Sequence, residues 1–289
     1  MNAYTYYPGC SLESTACEYD ASVRAVFQAL EVELHELEEW NCCGASSAHS
    51  VNPLLALALP ARNLALAQPI GYDLVMPCAA CFNRHKSADH ELRHNPERRE
   101  EIEAIVGFSY EGKINVRPLL EVLTLGVGLE RIRERVVLPL ESLRAVGYYG
   151  CLLVRPPEVT RFENPENPRL MNQLLNTLGA VAVEWSYATE CCGGGLSLTK
   201  SSVAARLVDR LVERAREAGA EAIVTSCPLC QINLEMRQSG QHKMPIFYFT
   251  ELMGLSFGLP EAESWWNKHL IDPRPLLTEK NLLRQAVVG

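Results

Sequence analysis

The chain has 289 residues, 47% of them hydrophobic, with 27 basic against 35 acidic residues and a formal net charge of -8. That is enough apolar material for one large core or two smaller ones, and an acidic balance without a basic run excludes nucleic acid as an expected partner. The most apolar stretch, Leu54–Ile70, is broken by Pro60, Arg62, Asn63, Gln68 and Pro69, so it reads as a buried amphipathic helix, and no transmembrane segment is expected.

In chain order, short strand-like runs alternate with helix-like ones, and most of the strands lead into a cysteine. Ala3–Tyr7 runs through Pro8-Gly9 to Cys10 and a helical stretch Ser14–Leu30. Val32–Leu37 leads to the vicinal pair Cys42-Cys43, then Gly44 and the helical Leu54–Leu66. Tyr72–Met76 leads through Pro77 to Cys78-x-x-Cys81, and Asn115–Arg117 to Leu119–Leu123. A short charged helix then bridges to a second copy. There Ala145–Tyr149 precedes Cys151, Ala180–Trp185 precedes Cys191-Cys192-Gly193, Ala222–Thr225 precedes Cys227-x-x-Cys230, and Ile246–Phe249 precedes Glu251–Met253. Helices are expected over Arg169–Leu178 and Lys200–Ala218. The copies differ by eight extra residues in the Pro-rich loop Val154–Pro168 and nineteen around Ala88–Lys113, as loops of a duplicated domain do.

The alternation predicts an α/β fold of two tandem pseudo-symmetric domains, each a small parallel sheet with flanking helices and right-handed crossovers. The cysteine loops fall at the carboxyl ends of the strands, where such sheets form their ligand crevice. The expected boundaries are a first domain over 1–128, a linker over 129–144, a second domain over 145–258 and a C-terminal tail over 259–289. The tail carries Trp265-Trp266, expected to be buried.

Ten of the eleven cysteines belong to the repeat, five in each half, and 34 residues separate the vicinal pair from C-x-x-C in both copies. A disulfide framework fits poorly: the count is odd, no secretory signal is recognised ahead of Cys10, and the chain is far above the size that needs staples. Four thiolates satisfy zinc or a cubane cluster, and each set holds five. Adjacent cysteines do not readily share one ion but can reach neighbouring irons of a polynuclear cluster. Iron-sulfur chemistry in a reducing, cytoplasmic setting is therefore expected, with zinc scaffolding as the competing use.

On Tyr-Pro-Gly-Cys10, Cys42-Cys43-Gly44 and Cys78-Ala-Ala-Cys81, repeated through Cys230, the chain resembles the CCG-domain family, specifically the catalytic B-type component of heterodisulfide reductases. The resemblance implies two non-cubane 4Fe-4S clusters, one held by Cys10, Cys42, Cys43, Cys78 and Cys81, the other by Cys151, Cys191, Cys192, Cys227 and Cys230. It implies that both clusters line one cavity and catalyse two-electron disulfide/thiol redox chemistry on a sulfur-containing small molecule or a protein-bound carrier. It also implies two partners, namely a ferredoxin-like iron-sulfur subunit plus a flavin-bearing subunit. The competing possibility within the family is an electron-transfer CCG subunit of a succinate:quinone reductase-like complex.

No G-x-G-x-x-G follows a strand, so no flavin is expected in this chain. Gly9, Gly44 and Gly193 are expected to let the backbone approach the clusters, and His49, six residues after Cys43, to hydrogen-bond or protonate a sulfur substrate. Cys17 has no counterpart and is expected to be a small buried hydrophobe. His90-Glu91-Leu92-Arg93-His94 matches a zinc-protease signature, but it lies inside the charged insertion and is expected to be a solvated helix.

Overall fold

The computed structural model describes residues 3–45 and 48–283, so the last six residues of the expected tail lie outside the described residues. The first half contributes strands β1 (Ala3–Tyr6), β2 (Glu33–Glu36), β3 (Leu74–Met76) and β4 (Val116–Pro118); the second contributes β5 (Arg144–Tyr148), β6 (Val181–Ala182), β7 (Ala222–Thr225) and β8 (Ile246–Tyr248). Each set forms a four-stranded parallel sheet, ordered β2-β1-β3-β4 and β6-β5-β7-β8. The chain winds outward in both directions from the adjacent pairs β1/β3 and β5/β7. These are the topological switch points, beside which ligand crevices form.

Helices α1 (Cys17–Ala29), α2 (Ala48–Val51), α3 (Pro53–Ala67), α4 (Ala79–His94), α5 (Pro96–Val106), α6 (Leu119–Glu121) and α7 (Leu129–Glu134) belong to the first half and the linker. The second half holds α8 (Gly150–Val154), α9 (Pro157–Thr160), α10 (Leu170–Thr177), α11 (Ser201–Glu217), α12 (Pro228–Arg237) and α13 (Phe249–Ser256), and the tail α14 (Ala262–Trp265) and α15 (Arg274–Glu279). Strands β3, β7 and β8 are wholly buried, as parallel strands covered on both faces are, whereas β2 is a largely exposed edge. The α3 helix starts where Asn52 caps Leu54 N and Leu55 N with Pro53 in its first turn, and it runs through Pro60, which its buried face holds in place. On α11 the buried residues Ala204, Val208, Leu211, Val212 and Ala215 recur three and four apart.

A single apolar core runs from Tyr4 through the linker residues Ile132, Leu140 and Leu143 to Phe249 and Leu282. A smaller cluster lies between β5, β7, β8 and α11. The two halves therefore share their main core instead of building one each. Their joint packs α1 on α13 and α4 on α8. It is fixed by a buried Ser22 Oγ–Thr250 Oγ1 hydrogen bond of 2.6 Å and by Asn83 Nδ2, which donates to Leu152 O at 3.0 Å and Arg155 O at 2.7 Å. Trp265 and Trp266 are 5% and 1% exposed, and α14 lies on α1, so the tail is part of the core. Among the described residues no helix is long and apolar enough to cross a membrane.

Candidate functional site

Because all eight strands run parallel within their sheets, the loops at their carboxyl ends gather on one side of each sheet, and all ten repeat cysteines sit there. Cys10 lies in the turn after β1, and Cys42-Cys43 in the loop after β2. Cys78 caps α4, which carries Cys81 in its first turn. In the second half Cys151 opens α8, Cys191-Cys192 follow β6, and Cys227 caps α12, which carries Cys230.

Three pairs of thiols lie in contact. Cys10 and Cys42 sulfurs are 3.7 Å apart, and Cys43 and Cys81 are 3.4 Å apart. In the second half Cys192 and Cys230, the equivalents of Cys43 and Cys81, are likewise 3.4 Å apart. All eleven cysteines are free thiols, with separations well outside the S–S bond of about 2.05 Å. Among the described residues no three Cys, His, Asp or Glu side chains converge as ligands of a single metal ion. The donors are all sulfur, which suits soft, polynuclear iron-sulfur chemistry. Cys10, Cys42 and Cys191 are exposed, so both sets open to the surface.

Pairs of equivalent contacts hold the two sets. Tyr7 OH donates to Asn41 O at 2.9 Å and Tyr148 OH to Glu190 O at 2.8 Å; each acceptor immediately precedes a vicinal cysteine pair. Tyr19 donates to both Pro77 O (3.2 Å) and Ser226 O (3.3 Å), the residues before Cys78 and Cys227, and stacks on Tyr248 at 3.9 Å. One hydroxyl thus ties the two C-x-x-C loops together.

The polar surroundings bias the thiols. The Cys10 thiol, then the Cys43 thiol and the Gly44 N–H, hold Cys42 far below the usual thiol range. Cys151 and the Gly193 N–H likewise hold Cys191 down to about 6, against the opposing effect of its burial. Cys227, buried, is lowered by contacts from Cys230 and Cys78. These contacts favour the thiolate at Cys42, Cys191 and Cys227 at the expense of their thiol neighbours: Cys10, Cys43, Cys78, Cys81, Cys151 and Cys230 are all pushed up.

At the first site a buried His85, which no sequence motif singles out, lies against the Tyr7 ring. Burial pushes its imidazole down to about 4. Its Nδ1–H donates to Cys81 O at 2.8 Å, so its Nε2 accepts from Asn63 Nδ2 at 3.0 Å. Asn63 in turn bonds both the N–H and the carbonyl of Asn41. In the second half Asn233 performs the corresponding task, donating to Cys192 O at 2.7 Å. The signal for these residues is weak, because a buried polar side chain has no spacing of its own.

Gly9 faces a thiol: a Cβ there would lie 3.1 Å from Cys81 Sγ, as it would 3.3 Å from Cys230 Sγ at Gly150 and 3.4 Å from Cys192 Sγ at Gly194. At Gly44 and Gly193 a Cβ would meet Ala48 and Leu59 or Ala204 and Leu207, while their backbone N–H groups donate to Cys42 and Cys191. Cys17 is exposed, not buried, because it begins α1 on the solvent side. His49 stands exposed on α2 and makes no hydrogen bond to a thiol among the described residues. His90 and His94 stack ring on ring at the end of α4, a helix that buries Ala88, Asp89 and Leu92, and Glu91 accepts from Asn95; the helix is half buried, not freely solvated.

Residues 4–84 and 145–235 match the model of the cysteine-rich CCG domain. The chain belongs to the cysteine-rich CCG family. This CCG protein is 33% identical over 283 residues to the 8-methylmenaquinol:fumarate reductase membrane anchor subunit of Wolinella succinogenes, covering 94% of this chain and 98% of that protein. It is 32% identical over 273 residues to a protein of Archaeoglobus profundus described as like the B component of heterodisulfide reductase, covering 89% and 91%. It is 25% identical to the B component of a ferredoxin/F420H2-dependent CoB-CoM heterodisulfide reductase of Methanosarcina acetivorans, covering 91% and 92%. Its fold is similar to the crystal structure of a hypothetical protein from Helicobacter pylori, with a TM-score of 0.71 at 13% identity, covering 93% of this chain and about half, 52%, of the other. Family and thiol arrangement together make it an iron-sulfur redox subunit.

Proposed function

We propose that this CCG protein is the catalytic subunit of a heterodisulfide reductase-like complex, interconverting disulfides and thiols at two non-cubane 4Fe-4S clusters. Cys10, Cys42, Cys43, Cys78 and Cys81 would hold one cluster, and Cys151, Cys191, Cys192, Cys227 and Cys230 the other. The observation that supports the reading is the Tyr19 hydroxyl, which donates to both Pro77 O and Ser226 O and so sets the loops of Cys78 and Cys227 side by side across the joint of the halves. When bound, such clusters supply electrons one at a time, and the net reduction adds two electrons and two protons to R–S–S–R′ to give two thiols. The chain's own share is to hold ten sulfurs in order through Tyr7, Tyr148, Tyr19, Asn63 and Asn233, and to leave Cys10, Cys42 and Cys191 open to a sulfur substrate. His49, exposed on α2, would serve as a proton donor to that substrate. Electrons come from two partners, one ferredoxin-like and carrying iron-sulfur clusters, the other bearing a flavin.

Anaerobically prepared protein should be brown, contain about eight irons per chain, and, within its assembled complex, exchange electrons with a disulfide or a dithiol. Stoichiometric zinc in a colourless anaerobic preparation would overturn the assignment in favour of a scaffold.

A second reading is favoured by the Wolinella relative, matched over 98% of its length: an electron-transfer subunit of a quinone-linked succinate or fumarate complex that conducts without sulfur chemistry. Electron flow through the purified complex that disulfides and thiols neither support nor inhibit would decide for it.

A further inference from the structure

The internal repeat accounts for the cysteines but not for the two segments that interrupt it, and these two segments meet. The second-half loop Val154–Pro168 forms α9 and Arg161, and α9 packs against α4, whose C-terminal part begins the first-half insertion. Between them are two adjoining cavities of about 150 and 260 Å3, which share Lys86, Asn115 and Arg161. His90, Arg93 and His94, from the motif that resembles a protease signature, line the smaller one.

Both shared cations face the cavities with few internal contacts. The Lys86 side chain is 19% exposed, and its nearest carboxylate oxygen, Asp89 Oδ2, stands 3.7 Å away. Arg93 Nε at 2.5 Å and Tyr110 OH at 2.7 Å both engage the other oxygen, Asp89 Oδ1. From the other half, the exposed Arg161 makes a single long hydrogen bond, 3.4 Å from its Nε to Glu158 O, and no ion pair of its guanidinium occurs among the described residues. Its backbone holds φ at +48°, the left-handed region that favours glycine. In the larger cavity, by contrast, Arg117 is neutralised by Glu121 at 2.8 Å and Asp73 at 3.8 Å.

We infer that Lys86 and Arg161 form, across the junction of the halves, a binding site for a small, multiply charged oxyanion of the phosphate type. The cations supply charge-assisted N–H donors from opposite walls, a point charge on one side and a planar fork on the other. Asp89 offsets one positive charge, shared between Arg93 at 2.5 Å and Lys86 at 3.7 Å, so Lys86, Arg93 and Arg161 together leave a positive excess for the ligand. The smaller cavity admits an anion or the anionic end of a small metabolite, not a polymer. A bound anion would bridge α4, which carries Cys81, to the second half, and so brace the joint. The site is independent of the sulfur chemistry proposed above.

Isothermal titration of the full-length anaerobic protein with inorganic phosphate, at constant ionic strength, tests this. Saturable one-to-one binding at a dissociation constant of about 1 mM or tighter is expected, weakened at least about tenfold in Arg161→Gly and in Lys86→Gln, the loss of one charge-assisted contact. Arg161→Gly is chosen because glycine accepts the positive φ, so the variant should fold at least as well as the parent. Its melting temperature in phosphate-free buffer and its iron content verify that. Wild-type protein that shows no saturable binding at about 10 mM phosphate, or Arg161→Gly that binds phosphate as tightly as wild type, would overturn the site.

Discussion

Single hydrogen bonds decide where the vicinal cysteines sit. Asn63 is fully buried in α3 and grips both main-chain groups of Asn41, the residue before Cys42, while accepting no help from solvent. Asn63→Leu should therefore strand a buried N–H and leave His85 Nε2 without its donor, at a cost of about 3 kcal/mol in anaerobic urea unfolding. The same change should make only the first thiol set labile, so iron content should fall towards half while the second-half signal persists. Glycine is needed at Gly9 and Gly150 for two reasons, a φ near +70° and a thiol within contact of any Cβ. Gly150→Ala should thus reduce iron incorporation at the second site, and Gly195→Ala, where a Cβ meets nothing within 4 Å, should leave iron content unchanged.

At the scale of elements, the unit of strand, cysteine loop and helix is legible in the sequence because a parallel strand buried on both faces leaves a short apolar run, and the cysteine marks its end. Strand ends are less so. The expected strand Ala180–Trp185 shrinks to Val181–Ala182, since Trp185 turns its indole to donate to Gly147 O at 2.9 Å. The tail's anchor is illegible, because it depends on residues far apart in sequence. His269, with 0% of its side chain exposed, sits between Glu235 of α12 at 3.1 Å and Glu251 of α13 at 2.8 Å. Burial alone would lower its pKa, but the Glu251 and Glu235 carboxylates outweigh burial and raise it to about 10. The folded state then keeps a proton that the unfolded chain releases above its ordinary value of about 6.5. This contribution is fully present below pH 6.5 and is lost as pH rises through about 10, on the order of 5 kcal/mol in all. Urea midpoints should fall between pH 6.5 and 10 in the wild type. His269→Gln should be less stable at pH 6.5, with two buried carboxylates left unpaired, and its midpoint should change far less over the same range. An equal decline in both proteins would show that another group is responsible.

For the whole molecule, duplication is readable from the cysteines, but the fusion of the two copies is not: it rests on Tyr19, Asn83, Ser22 and Thr250, which have no repeated partners. A core shared from Tyr4 to Leu282 implies one cooperative unfolding transition for the full chain, and Asn83→Leu, which deprives two carbonyls of the opposite half of their donor, should lower that transition without splitting it. Fusion also has a consequence for the thiols. Cys10 pairs within its own set, whereas Cys78 directly follows Pro77, whose carbonyl shares the Tyr19 hydroxyl with Ser226, the residue before Cys227. Replacing Cys10 by serine should alter the spectroscopic signature of one cluster, while replacing Cys78 should disturb both, losing the first and shifting the second through the Tyr19 tie to the Cys227 loop. Low-temperature electron paramagnetic resonance on the two variants separates these outcomes. A Cys78→Ser protein whose second-site signal matches the wild type would mean that the two sets are neighbours in space without being coupled in chemistry.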